Sequence, residues 1–245
     1  MLAAELVKLG PDVIIALGTA EAIAAKRATT TIPIVIIIAD PLGTGIVTNV
    51  AHPGGNVTGI MLYGAEFAGK RIEVFKEAVP AIARIAVLGT RNPLSQLHWP
   101  ETQTAAAQLG LEVRLFTVQD PAELLAAFES IAQHNVNGVV VLPDLRFLSV
   151  RQTIVALAAK HRLPALYEDR EYIQDGGLIS YGPNVAKMER RSAAFVDKIL
   201  KGAKPGDLPI EAPTEYELVI NLKTANTLGL SIPEKLLIVA DEVIE

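Results

Sequence analysis

Continuous apolar runs alternate with amphipathic segments along almost the whole chain, and this alternation predicts the fold class. Residues 12–17 and 34–39 are apolar throughout, as expected for parallel strands that are covered on both faces. Between them, residues 20–29 are rich in alanine and predict a helix with Thr19 as its N-cap. Strand, helix and strand make a right-handed βαβ unit, and its repetition predicts an α/β protein with parallel sheets flanked by helices.

The remaining elements follow from the same periodicities. Glycine and proline separate them, as at Gly10 and Pro11 after the first helix and at Gly202 after the longest amphipathic helix. A polar connector with several prolines is predicted at 204–214, and an unassigned tail at 232–245. Further strands are predicted at 57–62, 85–88, 111–118, 138–142, 165–167, 178–181 and 216–220, and helices at 2–9, 65–79, 99–109, 121–133, 148–161, 185–200 and 222–228.

The order of the elements predicts that the first of two lobes is incomplete. The chain opens on the helix at 2–9, whereas a parallel sheet normally has a strand before each covering helix. The first lobe has only two strong strands and a short one near 57–62, against four in the second. We therefore expect one or more N-terminal βα units to be absent, the alternative being a complete but small lobe. An incomplete lobe would expose a sheet edge and favour self-association.

Composition narrows the classes of function. Half of the 245 residues are hydrophobic and the net charge is -5, which argues against nucleic acid as the main partner. No apolar run approaches the ~20 residues of a membrane span. The segment that begins at Met1 lacks the basic start and long apolar stretch of an export signal. The chain has no cysteine and four widely spread histidines, so we expect no metal site.

The common motifs of α/β enzymes are missing from the sequence. There is no GxGxxG after the first strand, no GxxxxGK[ST] phosphate loop and no GxSxG nucleophile elbow. We therefore expect a protein without catalytic activity and without a cofactor. An α/β enzyme is the least favoured alternative.

Polar residues after strands are the candidate ligand contacts, because ligands of open α/β sheets bind outside the carboxyl ends of the strands. In the first lobe, Thr19 and Ala20 begin a helix directly after a strand, and their N–H groups are placed to hold a carboxylate. A simple N-cap role for Thr19 is equally compatible. Asp40 follows the strand at 34–39 and either accepts hydrogen bonds from a ligand amine or fixes an Asp-Pro turn.

The stretch 164–184 carries the densest group of candidates. Four charges and two tyrosines fall within 167–172, immediately after a strand. We predict that Tyr167 stacks on a ligand and that Glu168 faces a ligand amine or hydroxyl. Tyr181 lies on a strand that is placed to carry the chain back between the lobes, where its ring lines a cleft or packs as core.

Two more candidates follow strands of the second lobe. Asn92 comes after the strand at 85–88 and either bonds a ligand or stabilises its own turn. Asp144 comes after the strand at 138–142, and its alternative role is a surface salt bridge with Arg146. A helix N-terminus together with carboxylates and tyrosines suits a zwitterionic or aromatic ligand, such as an amino acid. The candidates we favour are Asp40, Tyr167 and Tyr181, followed by Thr19.

Several fragments share their order and spacing with a known family. They are 18–20 (GTA), 28–35 (ATTTIPIV) followed by Asp40-Pro41, 53–59 (PGGNVTG), 177–182 (GLISYG), 217–225 (ELVINLKTA) and 240–245 (ADEVIE). Together they resemble the ABC transporter substrate-binding protein family, which has the type I periplasmic-binding-protein fold. The resemblance covers essentially the whole chain, and from it we expect the export signal and first βα segment of the family to be missing from this sequence.

The resemblance implies two α/β lobes, joined by crossing strands, that close on a small molecule without altering it. We assign 1–80 and about 182–205 to lobe 1, and 81–181 and about 206–245 to lobe 2. The family passes its ligand to a membrane permease driven by an ATPase, in the periplasm or another extracytoplasmic place. Some relatives are thought to bind aromatic amino acids, so an amino acid or aromatic metabolite is expected here. The main alternative is the cytoplasmic ligand-sensing domain of a regulator.

Overall fold

The computed structural model describes residues 2–63 and 67–245. Within these ranges, strands and helices alternate as the apolar pattern predicts. The strands are β1 (Ile14–Leu17), β2 (Ile34–Ile38), β3 (Val57–Met61), β4 (Arg84–Thr90), β5 (Glu112–Val118), β6 (Gly138–Val141), β7 (Ala165–Tyr167), β8 (Ile179–Gly182), β9 (Glu217–Asn221) and β10 (Glu242–Ile244). The helices are α1 (Leu2–Lys8), α2 (Thr19–Ala28), α3 (Phe67–Ala78), α4 (Pro93–Gln108), α5 (Leu124–Gln133), α6 (Leu145–Ser149), α7 (Arg151–Lys160), α8 (Arg170–Gln174), α9 (Val185–Leu200), α10 (Leu222–Leu228) and α11 (Glu234–Val239).

The chain divides into two compact units, and the first combines Met1–Ala65 with Pro183–Glu215. Its sheet is parallel, with the strand order β1-β2-β3. All five residues of β2 are buried, because the strand has a core on each face. Ile36 packs towards α2 on one face, and Val35 packs against Phe195 and Ile199 of α9 on the other.

The second unit combines Glu66–Gly182 with Tyr216–Glu245. Its sheet has seven strands in the order β10-β9-β8-β7-β6-β4-β5. One face packs on α3, through Ile72 and Phe75, and the other packs on α5 and α6, through Phe128 and Phe147. Every neighbouring pair is parallel except β8 and β9, which are antiparallel.

The predicted fold class is confirmed: the protein is α/β, with parallel sheets flanked by helices. The antiparallel pair departs from an all-parallel arrangement. It arises where the chain leaves the second unit after β8 and re-enters it at Tyr216, so that β9 runs back beside β8.

The observed division differs from the predicted lobes in two places. The segment 67–80, which was assigned to lobe 1, belongs to the second unit because α3 packs on α4 and fills the core of the second sheet. The segment 206–215, which was assigned to lobe 2, belongs to the first unit. There Glu211 accepts a hydrogen bond from Met61 N at 2.9 Å and donates one to Gly59 O at 2.9 Å, so it runs along β3.

Local elements differ from the predictions where capping or packing overrides the apolar pattern. Helix α4 begins at Pro93 rather than near 99 and continues through Pro100. The predicted charged loop contains α8, which Asp169 caps by accepting a hydrogen bond from Glu171 N at 2.8 Å. The predicted tail forms α11 and β10, which pairs with β9. The predicted start of the third helix, Ala65, lies outside the described residues. None of the helices within the described ranges has both the length and the apolar composition of a membrane-spanning segment.

Candidate functional site

The segments that follow β4 and β6 meet around one buried carboxylate, that of Asp144. Its Oδ2 accepts hydrogen bonds from the hydroxyl of Thr90 at 2.5 Å and from Nδ2 of Asn92 at 2.7 Å. Its Oδ1 accepts one from the backbone N of Arg146 at 2.8 Å. The Asp144 side chain is only 4% exposed, and a buried charge is stable only when it is paired and hydrogen-bonded. This carboxylate is therefore fully engaged with the protein.

Arg146 forms an ion pair with Asp144, and its side chain is also partly exposed to solvent. Its Nε lies 3.3 Å from Oδ1 and its Nη2 lies 3.0 Å from Oδ2, while the Arg146 side chain is 51% exposed. The hydrogen bond from Asp144 raises the pKa of Arg146. The alternative ion pair between Asp144 and Arg146 is present, but it is not a surface pair, because the acid is buried and only the base is exposed. The charged group that faces solvent here is therefore the Arg146 guanidinium and not the Asp144 carboxylate.

Asn92 links this network to the start of α4. Its Oδ1 accepts a hydrogen bond from Ser95 N at 2.6 Å, which is the N-cap bond of the helix, while its Nδ2 holds Asp144. The hydroxyl of Ser95 accepts a hydrogen bond from Thr90 N at 3.0 Å. The structure therefore brings together two predicted site residues, Asn92 and Asp144. Their hydrogen bond joins the segments that follow β4 and β6.

Tyr167 lies inside the core of the second unit. It is 1% exposed, and its ring stacks on Tyr172 with centroids 4.6 Å apart and planes 15° apart. Gly177 makes room for this ring, because a Cβ there would lie 2.7 Å from it. The sequence predicts that Tyr167 stacks on a ligand, whereas one face of its ring is taken by Tyr172.

The buried tyrosine pair predicts sensitivity to alkali. Burial raises the pKa of both phenols, and the charge of Glu168 adds to the effect on Tyr172. Unfolded tyrosine ionises near pH 10, so the pair contributes its full stability below about pH 10 and loses it as the pH rises further. We expect the free energy of unfolding, measured with urea at a series of pH values, to fall above that point. Tyr172→Phe should show a shallower fall, and an equally steep fall would assign the effect to other groups.

Glu168 and Tyr181 lie at the carboxyl ends of the next two strands, β7 and β8. The carbonyl of Glu168 passes so close to Gly182 that a Cβ on Gly182 would lie 1.8 Å from its oxygen. The Glu168 side chain is half-buried beside Tyr172, whose pKa it raises. The ends of β7 and β8 are therefore held in close contact by backbone packing.

Tyr181 belongs to an aromatic cluster with Phe67 and Tyr216. The centroid of the Tyr181 ring lies 6.4 Å from that of Phe67 and 5.5 Å from that of Tyr216, and the latter two are 4.9 Å apart. Burial raises the pKa of Tyr181, and Tyr216 adds to the effect. Neither Phe67 nor Tyr216 is among the predicted site residues, because their approach to Tyr181 depends on the antiparallel return of β9 beside β8.

In the first unit, the start of α2 differs from the prediction. Gly18, with φ at 105°, is the N-cap, and Thr19 is the first helical residue. The prediction of Thr19 as N-cap is therefore wrong, because the glycine adopts a positive φ that other residues avoid. Thr19 is half-buried and Ala20 is exposed, and both lie in the first turn, where N–H groups lack helical partners.

Asp40 builds the turn that follows β2. Its Oδ1 accepts hydrogen bonds from Leu42 N and Gly43 N, both at 2.9 Å, and its backbone oxygen accepts one from the Thr44 hydroxyl at 2.7 Å. These contacts match the turn role that the sequence left open. Within the part of the chain that the structure describes, no group of three or more His, Asp or Glu side chains is arranged to hold a metal ion.

Comparison with known proteins gives a family match over nearly the whole chain. The family described as ABC transporter substrate binding protein matches residues 1–244. A tyrosine-binding protein from Clostridioides difficile (strain R20291) is 26% identical over 221 residues. The match covers 89% of this chain and 63% of that protein, so this chain spans less than two thirds of that relative.

Solved structures agree with this match. A conserved domain protein from Vibrio cholerae O1 biovar El Tor is 28% identical, with a TM-score of 0.93 over 99% of this chain and 81% of that chain. The ABC domain from Streptococcus pneumonia in complex with L-Trp is 28% identical, with a TM-score of 0.92 over 99% of this chain and 84% of that chain. More distant neighbours, 12–15% identical, include a type 1 periplasmic binding protein and LacI family regulators, and they share the fold alone.

Proposed function

Because this chain belongs to the ABC transporter substrate binding protein family, we propose that it is the substrate-binding component of an ABC importer. Its partners are then a small-molecule ligand and a membrane permease, and its place of action is extracytoplasmic. In this proposal the ligand leaves chemically unchanged, and neither a cofactor nor nucleic acid takes part.

The ligand class that we propose is an amino acid with an aromatic side chain. One relative is named a tyrosine-binding protein, and another was solved in complex with L-Trp. Those ligands belong to those proteins. The support within this chain comes from the charges and rings at the carboxyl edge of the second sheet.

The observation that carries the proposal is a pair of opposite charges after neighbouring strands. Arg146 lies at the start of α6, the helix that follows β6, and is half exposed, and Glu168 directly follows β7 and is half-buried. The two strands are adjacent and parallel, so their carboxyl ends lie about 5 Å apart. A zwitterionic amino acid matches this arrangement, with its ammonium on Glu168 and its carboxylate on Arg146 through charge-assisted hydrogen bonds.

The aromatic cluster supports the side-chain part of the proposal. Tyr181 lies on β8, the strand next to β7, and both Tyr181 and Tyr216 are half-buried. Rings of this kind prefer offset or edge-on contacts with a further ring. Thr19, Ala20 and Asp40 remain proposed ligand contacts of the first unit, whereas Asn92, Asp144 and Tyr167 act by holding the edge of the second sheet in place.

Titration calorimetry on protein that has been unfolded, stripped of ligand and refolded tests the proposal. We expect L-Trp, L-Tyr or L-Phe to bind, and L-Leu and L-Glu to bind at least tenfold more weakly. Glu168→Gln should raise the dissociation constant of the tightest-binding ligand about tenfold or more, because a charge-assisted hydrogen bond contributes roughly 1.5–3 kcal/mol. Tyr181→Phe should bind nearly as well as the wild type, while Tyr181→Ala should not.

The matched control is Glu112→Gln, since Glu112 is an exposed carboxylate at the amino end of β5. It should leave the affinity unchanged. No heat from any aromatic amino acid would refute the proposed ligand class. Wild-type affinity in Glu168→Gln, with loss in Tyr181→Ala, would remove Glu168 from the site and keep the aromatic part.

A regulator domain is not favoured by a specific observation. The likeness to a LacI family regulator has 14% identity and a TM-score of 0.65, so it shows a shared fold and no more. Mass spectrometry of the bound molecule before and after release would test the absence of chemistry, since an altered ligand would point to an enzyme.

A further inference from the structure

Arg170 joins three elements of the second unit. It is the first residue of α8 and comes two residues after Glu168. Its Nη1 donates to Oε1 of Glu217, the first residue of β9, at 2.9 Å, and its Nη2 donates to Oε2 of Glu242, the first residue of β10. Because β9 runs antiparallel to β8, its start lies at the edge of the sheet where β7 and β8 end. One guanidinium therefore ties the starts of two strands to the helix that follows β7.

The start of β9 also carries the ring of Tyr216. Side chains alternate between the two faces along a strand, so Tyr216 and Glu217 point to opposite faces of the sheet. Leu218 packs in the same core as Tyr181, whereas Val219 packs in the core on the other face. The ring of Tyr216 lies 5.5 Å from that of Tyr181, as this alternation requires. A fixed Glu217 on one face therefore fixes the position of Tyr216 on the other.

Arg170 is the cation within a group of carboxylates. Burial raises the pKa of Glu217, the charge of Arg170 lowers it, and the charges of Asp241, Glu242 and Asp169 raise it again. Like charges on neighbouring strands destabilise their pairing. Removal of Arg170 would take away the cation that Glu217 and Glu242 share, and their repulsion would loosen the starts of β9 and β10.

We propose that Arg170 is a positioning residue for the ligand, which holds the start of β9, and with it Tyr216, at the edge of the sheet that bears Glu168. Its planar guanidinium suits this role, because it offers separate N–H groups to the two carboxylates. Arg170 acts through Glu217 and does not touch the ligand. The inference rests on the proposed function, and it links the charged part of that site to its aromatic part through one ion-pair network.

The effect of this network should be local. The Arg170 side chain is 38% exposed, and its partners Glu217 and Glu242 are 18% and 41% exposed. Ion pairs of this kind contribute little to the free energy of global unfolding. The end of a strand opens separately from the rest of the fold, however, and a small change there shifts its local opening. We therefore expect Arg170 to affect the amide exchange of β9 and the affinity for ligand more than the urea midpoint.

Hydrogen exchange of the ligand-free protein, read at residues 216–221, tests the clamp, and titration calorimetry tests its effect on binding. The ligand is whichever of L-Trp, L-Tyr and L-Phe binds the wild type most tightly. Arg170→Met should speed exchange about fivefold and raise the dissociation constant by a similar factor, with a urea midpoint close to that of the wild type. In the triple variant Arg170→Met/Glu217→Gln/Glu242→Gln, both values should return to within about twofold of the wild type, because the repulsion is gone.

The matched control is Arg151→Met. Arg151 also bridges two carboxylates, with its Nη1 3.2 Å from Oε2 of Glu171 and its Nε 2.8 Å from Oδ2 of Asp175, but neither acid lies on β9 or β10. This variant removes an arginine with two acidic partners and leaves Arg170 in place. It should change neither the exchange of residues 216–221 nor the affinity for ligand.

Wild-type exchange in Arg170→Met would overturn the inference. Fast exchange that the triple variant does not slow would also overturn it, because the lost contact would then be the packing of the arginine stem and not its charge. Fast exchange with unchanged ligand affinity would show that the clamp does not position the site. If no aromatic amino acid binds the wild type, the proposed ligand class and the role of Arg170 in binding both fail, while the exchange data still decide whether Arg170 holds the start of β9.

Discussion

Asp144→Ala is expected to destabilise the second unit by about 3 kcal/mol, because it removes the acceptor for several buried donors at once. The hydroxyl of Thr90 and Nδ2 of Asn92 would lose their bonds to Oδ2, which are 2.5 and 2.7 Å long. Thr90 is 3% exposed, so water cannot readily replace the lost acceptor. Urea denaturation followed by circular dichroism should show a clearly lower midpoint.

Arg146→Ala separates the buried network from the ion pair. The Arg146 side chain is 51% exposed and that of Asp144 only 4%, so this variant removes the charge partner of a buried carboxylate but leaves its hydrogen bonds. We expect it to lose clearly less stability than Asp144→Ala, because Thr90, Asn92 and the backbone N of residue 146 still hold the carboxylate. If Arg146→Ala were as damaging as Asp144→Ala, the guanidinium rather than the buried donors would maintain this edge.

The strands and the class of the fold could be predicted because they follow from short-range patterns. Apolar runs such as those at β2 and β6 have one stable environment, a sheet covered on both faces, and their burial is complete. The start of α4 and the presence of α8 could not be read from apolar periodicity. Each depends on a side-chain cap, Asn92 for α4 and Asp169 for α8, that competes with an equally plausible turn.

The candidate site was only partly predictable, because a strand-end position does not reveal the direction of a side chain. Tyr167 and Tyr181 were equally attractive in sequence. Tyr167 lies in the core on one face of the sheet, while Tyr181 packs against the core on the other. Asp144 shows the same ambiguity, since a carboxylate that follows a strand either receives a ligand or braces neighbouring loops. Only the donors that surround it decide between the two.

The aromatic partners of Tyr181 could not be predicted for a different reason, which is their distance along the sequence. Phe67 and Tyr181 are far apart in sequence, and Tyr216 joins them only because β9 returns beside β8 in the antiparallel sense. The expectation of parallel strands throughout gave no reason to place Tyr216 next to Tyr181. Topology, rather than residue type, therefore sets the composition of this cluster.

Gly182→Ala should damage both the fold and ligand binding, and this prediction follows from a single backbone contact. A Cβ at this position would lie 1.8 Å from the carbonyl oxygen of Glu168, so β7 and β8 would have to move apart. The atoms that this Cβ would meet all belong to the backbone of Glu168 and cannot rotate away. We therefore expect a loss of stability at the upper end of the 1–3 kcal/mol that is typical of overpacking. The control is Gly69→Ala in α3, where the nearest atom to a new Cβ is Ala105 Cβ at 3.9 Å.

Gly182→Ala and Gly69→Ala should shift the urea midpoint in opposite directions. Gly69→Ala should leave binding unchanged and raise the urea midpoint slightly, because alanine is favoured over glycine in a helix by up to about 1 kcal/mol. Gly182→Ala should lower the urea midpoint and weaken the binding of the aromatic amino acid more than tenfold, since Glu168 and Tyr181 lie at the ends of β7 and β8. Unchanged binding in a destabilised Gly182→Ala protein would mean that the ligand does not depend on this edge. The proposed contacts at Glu168 and Tyr181 would then be wrong, even if the protein still bound an aromatic amino acid.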